Sequence, residues 1–183
     1  MQVAIIGAGP LGRWLALAAA RSGYTVWLED VMPANLHHAQ EYLREQLGPM
    51  ALPMVKFAST VEEAVREADI AIDCVPDELE SKLEIFCLLD RMAPPRTVLV
   101  TPTTRLSIAD LASCTYRADK CVALAMDMRE LASYSIADGN EKVSGAGIVL
   151  RTPPQVSAET VELVQEFWIR VGFVPRFETD RLP

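Results

Sequence analysis

The chain has 183 residues, of which 50% are hydrophobic and 23% charged, a composition typical of a globular protein and not of a disordered one. Acidic residues outnumber basic ones by 25 to 17, and the resulting charge of −8 argues against binding to nucleic acid or to an anionic membrane. The sequence contains no apolar run near the roughly 18–20 residues that a transmembrane helix needs. It also begins without the basic segment of a signal peptide, so we expect a cytoplasmic protein.

The four cysteines, at positions 74, 87, 114 and 121, have long and irregular spacings and form no CxxC pair. Such spacings favour reduced thiols in a cytosolic protein and disfavour a four-thiolate zinc site. We therefore expect no metal centre.

The first thirty residues contain the strongest local pattern in the chain. A short apolar strand at 3–6 leads into the glycine-rich turn GAGPLG at 7–12, and a helix rich in alanine and leucine follows at 13–21. A second strand at 24–28 is followed by Asp30. This is the order of a βαβ unit in which a GxGxxG loop holds a pyrophosphate at the N-terminus of a helix.

Each part of this loop has a physical role in dinucleotide binding. Gly7 permits the tight turn, Gly9 lets the backbone approach a pyrophosphate, and Gly12 allows the helix to pack closely on the strand. A carboxylate at Asp30 would accept hydrogen bonds from the adenosine ribose and repel a 2′-phosphate, so the pattern predicts NAD in preference to NADP or FAD. The alternative is a tight turn beside an exposed acid, with no ligand. The residues predicted here to bind the cofactor are Gly7, Gly9, Pro10, Leu11, Gly12 and Asp30.

Strands and helices alternate through the rest of the chain. The predicted strands are 55–58, 70–75, 97–100, 121–125, 147–150 and 173–177, and the predicted helices are 32–46, 61–67, 78–91, 107–112 and 157–171. This alternation implies right-handed crossovers and a mostly parallel sheet with helices on both faces. We predict an α/β, Rossmann-type doubly wound fold that forms one NAD-binding domain over 1–183, with an irregular insertion at about 126–145.

Three further stretches connect the chain with a known family. AIDCVPDELESK ends at Lys82, LDRMAPP ends at Pro95, and TPTTRLSI begins at Thr101. Together with the glycine loop and Asp30, they resemble the NAD-binding domain of the 3-hydroxyacyl-CoA dehydrogenase family over nearly the whole chain. The resemblance implies oxidation of the 3-hydroxyl of an acyl-CoA with NAD, in fatty acid metabolism. The implied partners are a small-molecule substrate such as an acyl-CoA, or a partner subunit, with a homodimer as an option.

The resemblance also assigns roles to single residues. Val75 and Asp77 match positions that line the nicotinamide half of NAD, and Lys82 matches a lysine that reaches the nicotinamide ribose. Thr103 lies on the cofactor end of its strand, and Thr104, the one catalytic candidate, matches a serine whose hydroxyl contacts the substrate oxygen. Plainer alternatives are a solvated Asp77–Lys82 pair at a helix start, an exposed Lys82, and a loop or capping hydroxyl at Thr104.

The chain departs from the family pattern at the catalytic positions. Ala125 stands where the family has its histidine base, and the glutamate that orients this histidine falls near Ile148. The only histidines, His37 and His38, lie on the helix predicted on the adenosine side, where we expect a solvated face. The resemblance therefore implies an altered or incomplete catalytic site, and a non-catalytic NAD-binding sensor or subunit is the alternative. The candidates for a substitute base are Asp127, Tyr134 and Lys142.

Overall fold

The computed structural model describes residues 1–126 and 147–180, whose strands form one eight-stranded sheet. The strands are β1 (Gln2–Ile6), β2 (Thr25–Glu29), β3 (Val55–Ala58), β4 (Ile70–Asp73), β5 (Val98–Pro102), β6 (Cys121–Leu124), β7 (Gly147–Thr152) and β8 (Val174–Thr179). The α-helices are α1 (Pro10–Arg21), α2 (Pro33–Gln46), α3 (Val61–Val65), α4 (Leu79–Met92), α5 (Ile108–Ala112) and α6 (Ala158–Val171).

The strand order across the sheet is β3-β2-β1-β4-β5-β6-β7-β8. The first six strands in this order pair in parallel, whereas β7 runs antiparallel to β6 and β8 runs parallel to β7. The order reverses between β1 and β4, and in doubly wound sheets a ligand crevice opens at such a point, beyond the carboxyl ends of the strands. The predicted Rossmann-type fold is confirmed.

Apolar side chains cover both faces of the sheet. Val3 and Ile5 of β1 belong to the cluster that includes residues of α1, α2 and α6, and Ala4 and Ile6 belong to the cluster beneath α3, α4 and α5. Because successive strand residues point to opposite faces and both faces are buried, these strands consist of continuous apolar runs without polar alternation. This burial explains why the strands could be predicted from short hydrophobic stretches.

Several element boundaries differ from the predictions by one to three residues, and two of them have a clear physical reason. Helix α1 begins at Pro10 and not at residue 13, because the fixed φ of proline and its missing N–H suit the first position of a helix. Strand β4 ends at Asp73, two residues early, where the Asp73 carboxylate accepts a hydrogen bond from the Val75 N–H. Except for Met126, the predicted irregular insertion at about 126–145 lies outside the described residues. The same is true of the candidate bases Asp127, Tyr134 and Lys142.

The structure also bears on the expectations about membrane helices, cysteines and histidines. Within the described ranges, no helix combines the length and the apolar character needed to cross a bilayer. The four cysteines are all free thiols. His37 and His38 lie on α2, and the His37 side chain is 69% exposed, which confirms the predicted solvated face.

The packing of α1 on β1 generates the first testable prediction. A Cβ added at Gly12 would overlap the carbonyl oxygen of Gly7, whereas a Cβ added at Gly9 would meet nothing within 4 Å. We expect Gly12→Ala to lower the free energy of unfolding by about 3 kcal/mol, because α1 must move off the sheet. The matched change Gly9→Ala should cost less than about 1 kcal/mol. Urea unfolding followed by circular dichroism measures both, and equal stabilities would contradict this account of the packing.

Candidate functional site

A cleft of about 990 Å³ opens beyond the carboxyl ends of the central strands. Its lining extends from Asp30 and Met32, after β2, to Thr104 and Met126, after β5 and β6. Gly12 and Lys82 are absent from the lining that the structure describes. The other residues predicted to form the site line this one cleft: Gly7, Gly9, Pro10, Leu11, Asp30, Val75, Asp77, Thr103 and Thr104.

The N-terminus of α1 faces the cleft without a capping side chain. Gly9 is the N-cap residue, Pro10 occupies the first helical position, and the first turn contains no acidic residue. The next backbone N–H groups have no partner within the helix, and such groups attract anions. The space around the Cα of Gly9 is open, so the backbone can be approached closely. These features fit the pyrophosphate of a dinucleotide.

The turn itself depends on Gly7. Its φ of +106° lies in the left-handed region, and an added Cβ would lie 2.9 Å from the carbonyl oxygen of Cys74, the residue that follows β4. The Gly7 N–H donates to the carbonyl oxygen of Glu29 at 2.8 Å. The turn is therefore fitted between β2 and β4, where only glycine avoids both the strained conformation and the collision.

Asp30 ties the end of β2 to the glycine turn. Its carboxylate accepts hydrogen bonds from the N–H groups of Ala8 at 2.7 Å and Met32 at 2.8 Å. The side-chain amide of Asn35 lies 3.1 Å from each carboxylate oxygen. A ribose diol that binds Asp30 must therefore share or displace the Asn35 amide.

Glu29 also lines the cleft, although no motif in the sequence predicted it. Its side chain is 5% exposed and, in the part of the chain that the structure describes, has neither a hydrogen bond nor an ion pair. Burial, together with the neighbouring charge of Asp30, raises the pKa of Glu29 to about 6. Strand alternation could have indicated it: Leu28 packs on the α1 face of the sheet, and Trp27 packs on the α3 face, toward which Glu29 also points.

A buried ion pair joins β4, β5 and α4 next to the cleft. The Asp73 carboxylate accepts hydrogen bonds from Lys82 Nζ at 3.1 Å, from Thr101 Oγ1 at 2.6 Å and from the Val75 N–H at 3.0 Å. Lys82 Nζ also lies 3.5 Å from the Val75 carbonyl oxygen. Burial raises the pKa of Asp73, and the Lys82 ammonium opposes that rise. The network holds in place the loop after β4, which carries Val75 and Asp77 into the cleft.

The structure separates Asp77 from Lys82. The Lys82 side chain is 1% exposed, so the alternatives of an exposed lysine and of a solvated Asp77–Lys82 pair are wrong. Asp77 instead lies 4.0 Å from Arg105 Nε. Its Oδ1 atom is buried and finds no hydrogen-bond partner among the described residues, so a ligand can donate to it. The contact of Lys82 with a nicotinamide ribose stays a prediction, since its ammonium is held by Asp73.

The loop after β5 forms the far end of the cleft. The Thr103 hydroxyl, 1% exposed, accepts hydrogen bonds from the N–H groups of Arg105 at 3.3 Å and Leu106 at 3.1 Å, so it shapes the loop. Thr104 is exposed and lines the cleft. The N-cap of α5 is Ser107, so the alternative of a cap at Thr104 is wrong.

Ala125 follows β6 beside this loop. Its N–H donates to the carbonyl oxygen of Val149 at 2.9 Å, which continues the pairing of β6 with β7. Its side chain is a methyl group, and Ile148 is 1% exposed within the apolar core. Neither residue can accept a proton. Both histidines of the chain lie on α2, which is not part of this end of the cleft.

The order of the glycine loop, Asp30 and the loops after β4 and β5 is that of a known family. The family described as 3-hydroxyacyl-CoA dehydrogenase, NAD binding domain, matches residues 2–125. The chain belongs to this family. The predicted cofactor, NAD, is confirmed by this membership.

Two curated relatives and one solved structure illustrate the similarity. The chain is 30% identical over 136 residues to the probable 3-hydroxybutyryl-CoA dehydrogenase of Bacillus subtilis. This alignment covers 67% of this chain and 47% of the relative. It is 31% identical over 121 residues to the 5-formyl-3-hydroxy-2-methylpyridine 4-carboxylate 5-dehydrogenase of Mesorhizobium japonicum. This alignment covers 60% of this chain and 39% of the relative. It thus spans about half or less of these relatives. The crystal structure of (S)-3-hydroxybutyryl-CoA dehydrogenase from Ralstonia eutropha has the same fold, with a TM-score of 0.83 and 21% identity over 98% of this chain and 64% of that one.

The Asp73–Lys82 ion pair generates the second prediction. Lys82→Met removes the only cation that contacts Asp73 within the described structure and leaves the buried carboxylate without a counter-charge. We expect the free energy of unfolding to fall by about 3–5 kcal/mol. Urea unfolding at neutral pH measures the change.

The matched control is Arg96→Met. Arg96 pairs with Asp69 at 3.2 Å, but its side chain is 59% exposed. Its loss should cost less than about 1 kcal/mol. A cost for Lys82→Met no larger than that of this control would contradict the structural role of the buried pair.

Proposed function

We propose that this chain forms the cofactor half of an NAD(H)-dependent oxidoreductase site, with residues 1–183 as one NAD-binding domain. The observation that carries the proposal is a continuous cleft with the open N-terminus of α1 at its centre, Asp30 at one end and Thr104 at the other. In this arrangement Gly9 would face the pyrophosphate and Asp30 the adenosine ribose. Val75 and Asp77 would hold the nicotinamide half.

Bound NAD supplies the acceptor or donor of a hydride. The Thr104 hydroxyl, exposed at the cleft end, would donate a hydrogen bond to the oxygen of a hydroxy or keto substrate. Thr103 would position Thr104 through the loop that its own hydroxyl shapes. Lys82 would act through Asp73 and the Val75 loop, and its contact with the nicotinamide ribose stays a prediction. The substrate we propose is a 3-hydroxyacyl-CoA or a related small hydroxy compound of fatty acid metabolism.

The proton acceptor is the part of this site that we propose to be altered. A hydroxyl that loses a hydride must also lose its proton to a base. Ala125 and Ile148 offer no such group, so the base has to come from elsewhere. It would be supplied by a residue outside the described ranges or by a partner subunit, for which a second copy of the chain is one option.

A second candidate function is a non-catalytic NAD-binding sensor or subunit. The observation that favours it is the methyl side chain of Ala125 beside the Thr103 loop, where the reaction would need a base. For either function we propose a cytoplasmic setting, on the ground of the free thiols and the acidic composition.

The third prediction tests cofactor selection by Asp30. Asp30→Ala removes the acceptor for the ribose hydroxyls and also the charge that repels a 2′-phosphate. We expect the Kd for NADH to rise by roughly tenfold and the Kd for NADPH to rise much less or to fall. Titrations followed by nicotinamide fluorescence measure both constants. Glu45→Ala, an exposed acid on α2, serves as the control and should change neither. An equal loss for the two dinucleotides would count against this role of Asp30.

The fourth prediction tests the altered site. We expect the chain to bind NADH but not to oxidise it in the presence of acetoacetyl-CoA, and we expect oxidation to appear after Ala125→His. NADH absorbance follows the reaction, and a fluorescence titration reports binding for both proteins.

The outcomes separate the candidates. Oxidation by the unmodified chain would show a working site with another base. Binding without oxidation by either protein would support the sensor or subunit. Failure of the unmodified chain to bind NADH would overturn the proposed function.

A further inference from the structure

One part of the cleft is an apolar slot. Val61 of α3 and Ile85 and Leu88 of α4 line it, and all three belong to the apolar cluster on the same face of the sheet. Val31 and Met32 also line the cleft, yet they are 86% and 56% exposed. Exposed apolar side chains around a concave site indicate a ligand with an apolar surface, such as a flat aromatic ring.

One buried carboxyl, that of Glu29, belongs to this slot. Trp27, two residues earlier on β2, packs in the same apolar cluster as Val61, so Glu29 points to the slot side of the sheet. The side chain is 5% exposed, lines the cleft, and has no hydrogen-bond partner in the described structure. Unlike the buried Asp77 Oδ1, the Glu29 oxygens keep some exposure, and the residue lines the cleft, so a ligand in the cleft can donate a hydrogen bond to them.

Asp30 does not fill the same role. Its two oxygens accept from the N–H groups of Ala8 and Met32 and from the amide of Asn35, so a ribose hydroxyl can bind them by sharing or displacing that amide. The adenosine end of a dinucleotide has two kinds of donor, the ribose hydroxyls and the exocyclic amino group of adenine. Asp30 is bonded to the glycine turn and to Asn35 of α2, whereas Glu29 points to the face of the sheet that α3 and α4 cover, so each acid can serve one kind of donor.

We propose that Glu29 recognises the adenine base by accepting a hydrogen bond from its exocyclic amino group, while the faces of the ring pack against Val61, Ile85 and Leu88. This inference rests on the proposed binding of NAD(H) in the cleft and goes beyond it. It makes the chain selective for the base of the cofactor and not only for its ribose.

Hypoxanthine is the base that distinguishes this contact. It has the shape of adenine but carries an oxo group in place of the amino group, so it offers Glu29 an acceptor and no donor. A site with a buried acceptor rejects a ligand that lacks the matching donor, because the acceptor is then desolvated without a partner.

The experiment compares NADH with reduced nicotinamide hypoxanthine dinucleotide in fluorescence titrations. The two ligands share the nicotinamide reporter, the pyrophosphate and both riboses. We expect the unmodified chain to bind NADH roughly tenfold more tightly than the hypoxanthine analogue. In Glu29→Gln the preference should fall below about twofold, because an amide can present either its oxygen or its N–H to the base.

Glu62→Gln is the matched control. Glu62 is an exposed acid next to Val61 on α3, does not line the described cleft, and loses the same charge in this change. It should keep the tenfold preference. Circular dichroism and thermal unfolding check that each variant is folded.

The outcomes of the two proposals are distinguishable. If the unmodified chain binds NADH and the hypoxanthine analogue equally well, the role of Glu29 is overturned while NAD(H) binding stands. A tenfold preference that survives in Glu29→Gln also overturns it. If the unmodified chain binds neither dinucleotide, the proposed function fails and this inference fails with it.

Discussion

The close approach of α1 to the turn that precedes it determines the geometry of the whole cleft. Gly12 packs directly against the carbonyl of Gly7, and Gly7 fits between β2 and β4 with a left-handed φ. Asp30 then accepts the Ala8 N–H and joins the end of β2 to the same turn. Because these contacts leave no room for a Cβ, the N-terminus of α1 has one position relative to the sheet. The cofactor site is built around that position.

The cleft attracts an anionic dinucleotide without cationic side chains. Among the side chains that line it in the described structure there is no lysine or arginine, whereas Glu29, Asp30, Asp77 and Glu84 are present. The favourable potential for a pyrophosphate therefore comes from the backbone N–H groups at the start of α1. The acids are distributed toward the two ends, where the ligand would offer hydroxyl and amino donors. This division of charge agrees with selection for NAD over a cofactor that carries a further phosphate.

Family membership and the residues near Ala125, where a base would be needed, lead to different expectations about catalysis. The family supports a dehydrogenase, and the cofactor half of the cleft has the parts that dehydrogenases need. Ala125 and Ile148, in contrast, are apolar, and Ile148 is part of the core. Binding of a cofactor and transfer of a proton use different residues, so one can be retained while the other is changed. Our proposed function depends on this separation.

The amino-acid sequence alone determined the fold class and the cofactor, because both follow from local patterns. The glycine spacing, the acid after β2 and the apolar runs of strands buried on both faces are properties of short segments, and short segments can be interpreted without tertiary contacts. Thr104 lines the cleft as expected for the same reason, since it lies two residues after the end of β5.

Only the tertiary structure decided which polar side chains meet. The sequence offered Lys82 as a residue near the cofactor, and the structure shows that its ammonium pairs with Asp73 at the buried end of β4. Glu29 was not predicted beside Asp30, yet it lines the same cleft, on the face of the sheet that α3 and α4 cover. Burial and hydrogen-bond partners come from segments far apart in the chain. The sequence can therefore name the acids and bases, but which of them are paired, and which are left open to a ligand, depends on the packing of helices against the sheet.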